Sequence, residues 1–421
     1  MKKLKVLLLL LVGVILFSAV APVAAQELEL WAFVNTHARW FREQAERYAD
    51  EVNPDFSLNV IEIAYGDLHD RLLISIQSGG VGAPDIADVE QGRFGSFLRG
   101  GGDPGFVELN ALLDEGGHTE NLVATRQVLY TSMGSVYGIE HALTPVVLYY
   151  RADIWEGAGF DPQEFVTWDD FVDAARAIVA ENPEVVPLPI FTRLPVLLLR
   201  QQGSDWFNAD GEVTIDSEES IAMMDWLLSL QEEGIAAQMP AGDATWAAFK
   251  DGTLISMVGA DWYGGFFKDN APELAGKWKA APLPAFEDGG RRTSVYGGTG
   301  ATVVATSDHV EDALSFLEFS MLSIEGNVRR FEMTTLWPPY IPAMADERLH
   351  AADEYFSGQD LGALFADVGP EAPPQWQSAF RSQLNSLWSA AFQDVIDGNR
   401  SPEEVFTEIA ETIRDEMEFE S

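Results

Sequence analysis

Near its start the chain carries three short apolar runs, residues 28–33, 57–63 and 84–89, separated by stretches of helical periodicity at about 36–52 and 68–77. Asn53-Pro54 stops the first helical stretch and Ser78-Gly79-Gly80 the second. This alternation constrains the fold more than any other feature. A parallel strand pair needs a crossover connection, and a helix of this length supplies one. Repeating the unit predicts an α/β fold, a mostly parallel sheet with helices on both faces. Ligands of such sheets sit beyond the carboxyl ends of the strands, which points to residues 34–37 and 90–93.

The chain has 421 residues and 47% hydrophobic content, too long for one core and apolar enough for two. Thr167-Trp168-Asp169-Asp170 is a capped helix start that runs to about 180, and residues 216–233 read as another amphipathic helix. A helix at 246–250 and a buried strand at 254–258 lead into Asp261-Trp262-Tyr263. A Pro/Gly-rich segment at 282–290, a strand at 301–305 and helices at 310–320 and 324–331 follow. From about 345 the pattern is nearly all helical, ending at Ser401-Pro402-Glu403-Glu404, a cap with proline at the first helical position.

Several function classes are excluded early. Lys2, Lys3 and Lys5, the apolar run 6–17 and Val23-Ala24-Ala25 form a secretory signal, cut before Gln26, and the run is too short to span a membrane stably. There is no cysteine, which removes disulfides, thiolate metal sites, a cysteine nucleophile and a lipid-modified cysteine anchor. A net charge of −41 argues against nucleic acid and anionic membranes as partners. Such a surface has two explanations: life in salt, which screens the repulsion, or solubility alone. The six histidines are too scattered for an HExxH motif, and no G-x-S-x-G occurs. The GxGxxG match at 100–105 contains proline and follows a helix, so it reads as a loop.

The stretch from Tyr137 to Arg176 resembles the middle of the extracellular solute-binding proteins that feed sugar ABC importers. Further segments resemble the same family in the same order. They are Pro84-Asp85-Ile86 with Arg93-Phe94-Gly95, residues 106–114, 211–234 and 249–262, Ala281-Pro282-Leu283-Pro284, Gly297-Gly298 and the final Ser-Pro-Glu-Glu helix. The resemblance implies a two-lobe clamshell of type II, each lobe a mostly parallel sheet flanked by helices. The lobes would be residues 26–142 with 297–345 and 143–296 with 346–421. Hinges would fall near 143–146, 293–297 and 345–353. It further implies a periplasmic monomer that binds a mono- or oligosaccharide and hands it to membrane permease subunits. No catalytic residue, metal or cofactor is expected.

A sugar presents hydroxyls that need hydrogen-bonding side chains and C–H faces that suit aromatic rings. Loops with that mixture are Asn35-Thr36-His37, Glu90-Gln91 with Arg93, Asp261-Trp262-Tyr263, and the segment around Trp337. Each has a plainer counterpart: helix capping at 35–36, a solvated loop at 90–93, a cap with core packing at 261–263, and core packing at Trp337. His141 lies in the crossing stretch. Gly298 and Thr299 could present backbone groups, and Trp206 and Trp376 complete the candidates. The alternatives are a secreted glycoside-active enzyme, though no pair of carboxylates is singled out, or the same clamshell holding an oligopeptide, polyamine, phosphate ester or uronate. For an acidic ligand the loop arginines would be Arg93, Arg291 and Arg292.

Overall fold

The computed structural model describes residues 27–420 apart from Gly102, so the expected signal sequence lies outside the described residues. The chain opens with β1 (Glu27–Ala32), α1 (Asn35–Glu51), β2 (Ser57–Glu62), α2 (Tyr65–Gln77) and β3 (Ile86–Glu90). β1 runs parallel to β2, with Leu30 opposite Val60, and to β3, with Leu30 opposite Ile86. Side chains alternate between faces. Leu28, Leu30 and Ala32 join Trp40, Phe41 and Phe316 in one core, while Trp31, Ala87 and Val89 join Leu68, Leu72 and Tyr130 in another. Each large apolar side chain buried this way contributes roughly 1.5–3 kcal/mol.

The later strands divide between two sheets: β4 (Ile139–Glu140), β5 (Val146–Arg151), β6 (Ser256–Ala260), β7 (Trp278–Ala281) and β8 (Thr299–Val303). The first sheet has the order β2-β1-β3-β8-β4, and the second contains β6-β5-β7. Both are mixed. β8 is antiparallel to β3, and β5 is antiparallel to both its neighbours. The antiparallel strands β5 and β8 each enter their sheet directly from the other one, β5 after β4 and β8 after β7, with no helix between. Parallel contacts persist between 188–190 and 236–238 and at the bridge from Val186 to Leu254.

Two segments join the sheets, 141–146 and 294–299, and they run side by side in opposite directions. His141 N–H donates to the Thr299 carbonyl at 2.9 Å and Val146 N–H to that of Ser294 at 3.0 Å, with Pro145 bridged to Val295. The backbone is unusual here: φ is 54° at Thr144, 71° at Gly297 and 135° at Gly298. A β-branched residue at positive φ is strained, and the Thr144 hydroxyl is buried without a protein partner.

Further helices frame the junction: α3 (Leu194–Gln201), α4 (Trp262–Asn270), α5 (Ile324–Thr334) and α6 (Arg381–Ile396). α5 bridges the two halves. Trp40 Nε1 on α1 donates to the Gly326 carbonyl at 3.1 Å, and Gly265 N–H on α4 donates to Thr335 Oγ1 at 2.9 Å. The approach of α4 is so close that a Cβ on Gly265 would lie 2.7 Å from the Thr334 carbonyl oxygen.

A buried ion pair locks the second crossing segment. Arg126 Nη2 meets Glu140 Oε2 at 3.0 Å and donates to the Gly297 carbonyl at 3.0 Å, while Glu140 Oε1 accepts the Thr299 N–H at 2.7 Å. A Cβ on Gly298 would fall 2.0 Å from Arg126 Nη2 and 2.8 Å from Glu140 Oε2, at a φ that side chains avoid. Gly298→Ala is therefore expected to lose at least about 1–3 kcal/mol of stability by urea unfolding, and an unchanged midpoint would show that the segment is not locked as described.

Candidate ligand-binding cleft

Between the two sheets lies a cavity of about 660 Å³, lined from both sides. The first wall comes from the loop after β1 and the start of α1 (Phe33, Asn35, Thr36, His37), from Tyr65, and from the end of β3 (Glu90, Gln91). The second wall comes from α4 (Trp262, Phe266), from Thr192 and Arg193 before α3, and from Arg200, Arg381 and Asn385. The crossing segments supply His141, Thr144, Tyr296, Gly297, Gly298 and Thr299 at the base. The carboxyl ends of β1 and β3 thus reach the cavity, as expected for an α/β sheet.

Beneath the first wall, His37 and His141 stack on each other at 4.2 Å between ring centres, and each meets the buried Asp88 carboxylate through one ring nitrogen. His37 Nδ1 lies 3.0 Å from Asp88 Oδ2 and His141 Nε2 2.9 Å from Oδ1. Burial opposes the charge on Asp88, but the two imidazoles outweigh it and hold the carboxyl below its usual range. Burial, which outweighs the pull of Asp88, lowers His141 to about 3. With Asp88 ionised, both imidazoles donate to it. These three residues place ligand atoms within 4.8 Å of one another and are the one grouping among the described residues that could hold a metal ion. Hydrogen bonds already engage both oxygens of Asp88.

His69 fixes the neighbouring pair. Its Nδ1 donates to the Tyr65 carbonyl at 2.6 Å and its Nε2 accepts the Glu90 N–H at 2.9 Å, which requires one neutral tautomer. Burial lowers its pKa to about 4, consistent with that. Glu90 accepts from the Tyr65 hydroxyl at 3.1 Å, the Gly92 N–H at 2.8 Å and Gln91 Nε2 at 3.0 Å, yet burial pushes its carboxyl above the ordinary value. On the second wall, Asp205 holds Arg200 and Arg381, each at 3.1 Å. Trp262 packs against Tyr296 at 5.1 Å and Phe266 at 5.2 Å, and its Nε1 donates to the Tyr296 carbonyl at 3.2 Å.

The cavity brings together Asn35, Thr36, His37, Glu90, Gln91, His141, Trp262, Gly298 and Thr299 from the sequence-derived candidates. The other candidates lie elsewhere. Arg93 turns outward to Asp70 at 3.2 Å and sits over the Tyr65 ring. Trp206 is fully buried, donating to Ser220 Oγ at 3.1 Å, and Trp337 is also core. Trp376 packs half-buried on the core that covers β5 and β6. Tyr263 stacks behind Trp262 at 4.2 Å, on its core side. Asp261 is a cap and a pin: Oδ1 accepts the Trp262 N–H at 2.9 Å and Oδ2 the Trp337 N–H at 2.7 Å. Arg291 and Arg292 bond to backbone carbonyls away from the lining.

Sequence reasoning missed Phe33, Tyr65, Arg193, Arg200, Phe266, Tyr296, Arg381 and Asn385. Signals existed for some of them. Phe266 is one helical turn from Trp262, Tyr296 directly precedes Gly297, and Arg193 follows the short strand 188–190, where the carboxyl-end rule applies again.

The model of the bacterial extracellular solute-binding protein family matches residues 35–322. The chain belongs to this family. It is 32% identical to the arabinooligosaccharide-binding protein of Halalkalibacterium halodurans over 94% of this chain and 90% of that one. It is 26% identical to the lactose-binding protein of Rhizobium radiobacter over 89% of each. In fold it is similar to the ABC transporter associated binding protein of B. animalis subsp. lactis solved with beta-1,6-galactobiose, at a TM-score of 0.78, 19% identity and coverage of 92% and 97%.

In this solute-binding protein Asp261 ties α4, which carries Trp262, to the segment after α5. Burial pushes its carboxyl up to about 7 despite two N–H donors. A folded pKa above the unfolded one means that the folded state holds the proton more tightly. The associated stability is complete below the unfolded value and is lost as pH rises toward 7. Asp261→Asn removes that slope, so the variant's stability relative to the parent should improve between pH 4.5 and about 7.5, measured as paired melting temperatures. A difference constant with pH would show that Asp261 is ionised throughout.

Proposed function

We propose that this solute-binding protein captures a mono- or oligosaccharide in the cleft between its lobes and delivers it to the permease subunits of an ABC importer. The observation that carries this reading is the lining itself: aromatic rings from both walls beside a converging set of donors and acceptors, in a cavity of about 660 Å³. Rings suit C–H faces and the polar groups suit hydroxyls. The relatives named for arabinooligosaccharides and lactose support the same class.

Export with cleavage after Ala25, residence free in the periplasm and a monomeric state complete the reading, and no chemistry is expected. Among the described residues Glu90 is the single carboxylate lining the cavity, whereas glycoside hydrolysis normally uses two. The lobes we assign are 26–142 with 297–345 and 143–296 with 346–421, crossing at 143–146, 293–297 and 345–353. The pairing of 141–146 with 294–299 supports the first two crossings. For the third, Tyr340 and Ala343 pack with the core around Trp40, and Leu349 and Tyr355 with the core that covers β5 and β6. Binding then shifts an open–closed equilibrium, with a few residues at element ends absorbing the rotation.

A thermal-shift screen over neutral saccharides, polyamines and phosphate esters should show stabilisation by a saccharide. Trp262→Ala should weaken that binding by roughly 1–3 kcal/mol while the protein stays folded. Unchanged affinity would remove Trp262 from the ligand, and cleavage of a nitrophenyl glycoside by pure protein would overturn the binding reading.

A further inference from the structure

We propose that Glu90 and Arg193 clamp one unit of the ligand between the lobes and thereby select uncharged saccharides over acidic and cationic ones. This rests on the saccharide reading above. Glu90 closes β3 on the first wall, and Arg193 precedes α3 on the second, so the two line the same cavity from opposite lobes. No ion pair within 4.0 Å joins them, although each lies within the other's electrostatic reach. A gap therefore separates a carboxylate from a guanidinium, and it opens into the cavity.

Both groups have capacity to spare. Arg193 Nη1 is buried without a protein partner, a costly state unless a ligand supplies one. Glu90 Oε2 is filled by the Tyr65 hydroxyl and the Gly92 N–H, but Oε1 accepts only Gln91 Nε2. The other cleft arginines are committed elsewhere. Arg200 and Arg381 share Asp205 and also donate to the Val295 and Trp376 carbonyls. A donor without a protein partner, Arg193 Nη1, and an acceptor with capacity left, Glu90 Oε1, thus line the cavity from opposite walls with opposite charge.

A sugar hydroxyl donates and accepts, so a neutral ring satisfies Glu90 and Arg193 together. A carboxylate in its place would pair with Arg193 but meet Glu90, and an ammonium would pair with Glu90 but meet Arg193. Like charges brought together at a desolvated site are strongly disfavoured. The cleft is therefore close to balanced in charge at its centre, inside a chain of net charge −41.

Titration calorimetry tests this with lactose and arabinotriose, their reduced alditols, and the matching aldonic acids, since an alditol and its aldonate differ only by CH₂OH against carboxylate. The parent should bind at least one neutral sugar, and its alditol at least about tenfold tighter than the aldonate. Glu90→Gln and Arg193→Gln should each weaken neutral binding about tenfold or more, and the double variant should lose less than the product of the two. Ligand-free melting curves identify folded variants, and Arg193→Gln carries the test if Glu90→Gln does not fold. An aldonate bound as tightly as its alditol, single variants within about twofold of the parent, or strictly multiplicative losses would overturn the clamp. A parent that binds no saccharide of any kind would instead overturn the reading beneath it.

Discussion

The antiparallel pairing of residues 141–146 with 294–299, locked by the buried Arg126–Glu140 pair, holds the rest of the molecule in place. It is the seam through which both sheets are continuous, and it forms the base of the cleft. Breaking a buried ion pair strands an uncompensated charge, so such a pair fixes its surroundings more than it adds stability. Here it reads out two backbone groups, the Gly297 carbonyl and the Thr299 N–H. Burial raises the Glu140 carboxyl to about 7 although Arg126 opposes the shift. The positive φ values at Thr144, Gly297 and Gly298 fall in the same seam.

Around that seam the chemistry is sorted by burial. The outside carries most of the charge, in salt bridges that are largely exposed and individually weak. Inside, two carboxylates are each held by a pair of groups: Asp88 by two imidazoles and Asp205 by two arginines. At the cleft, Arg193 Nη1 has no protein partner and Glu90 Oε1 accepts only from Gln91.

How much of this was legible in the sequence follows from which forces act locally. The β1-α1-β2-α2-β3 unit was readable because periodicity and breakers are local: Asn53-Pro54 and Ser78-Gly79-Gly80 end helices wherever they occur. The caps at Thr167 and Ser401 were readable for the same reason. The strand directions of β5 and β8 were not, since they depend on how two distant connections thread between sheets. At the site, loops after strands were placed correctly, but side-chain direction was not. Trp262 faces the cavity while Tyr263, its neighbour, faces the core, and Asp261 spends both oxygens on backbone N–H groups. Trp206 and Trp337 drew attention as aromatics, yet burial of large apolar area is the commoner use of tryptophan. Arg200 and Arg381 are far apart in sequence and meet only through Asp205, which no local pattern announces.

The central claim is that a saccharide held by both lobes draws them together around the seam. Small-angle scattering of the mature protein, with and without a saccharide shown by calorimetry to saturate it, tests this most directly. The account predicts a smaller radius of gyration in the saturated protein, with the change abolished when the sugar is removed. An unchanged radius at full occupancy would contradict it, because the ligand would then be held by one lobe alone.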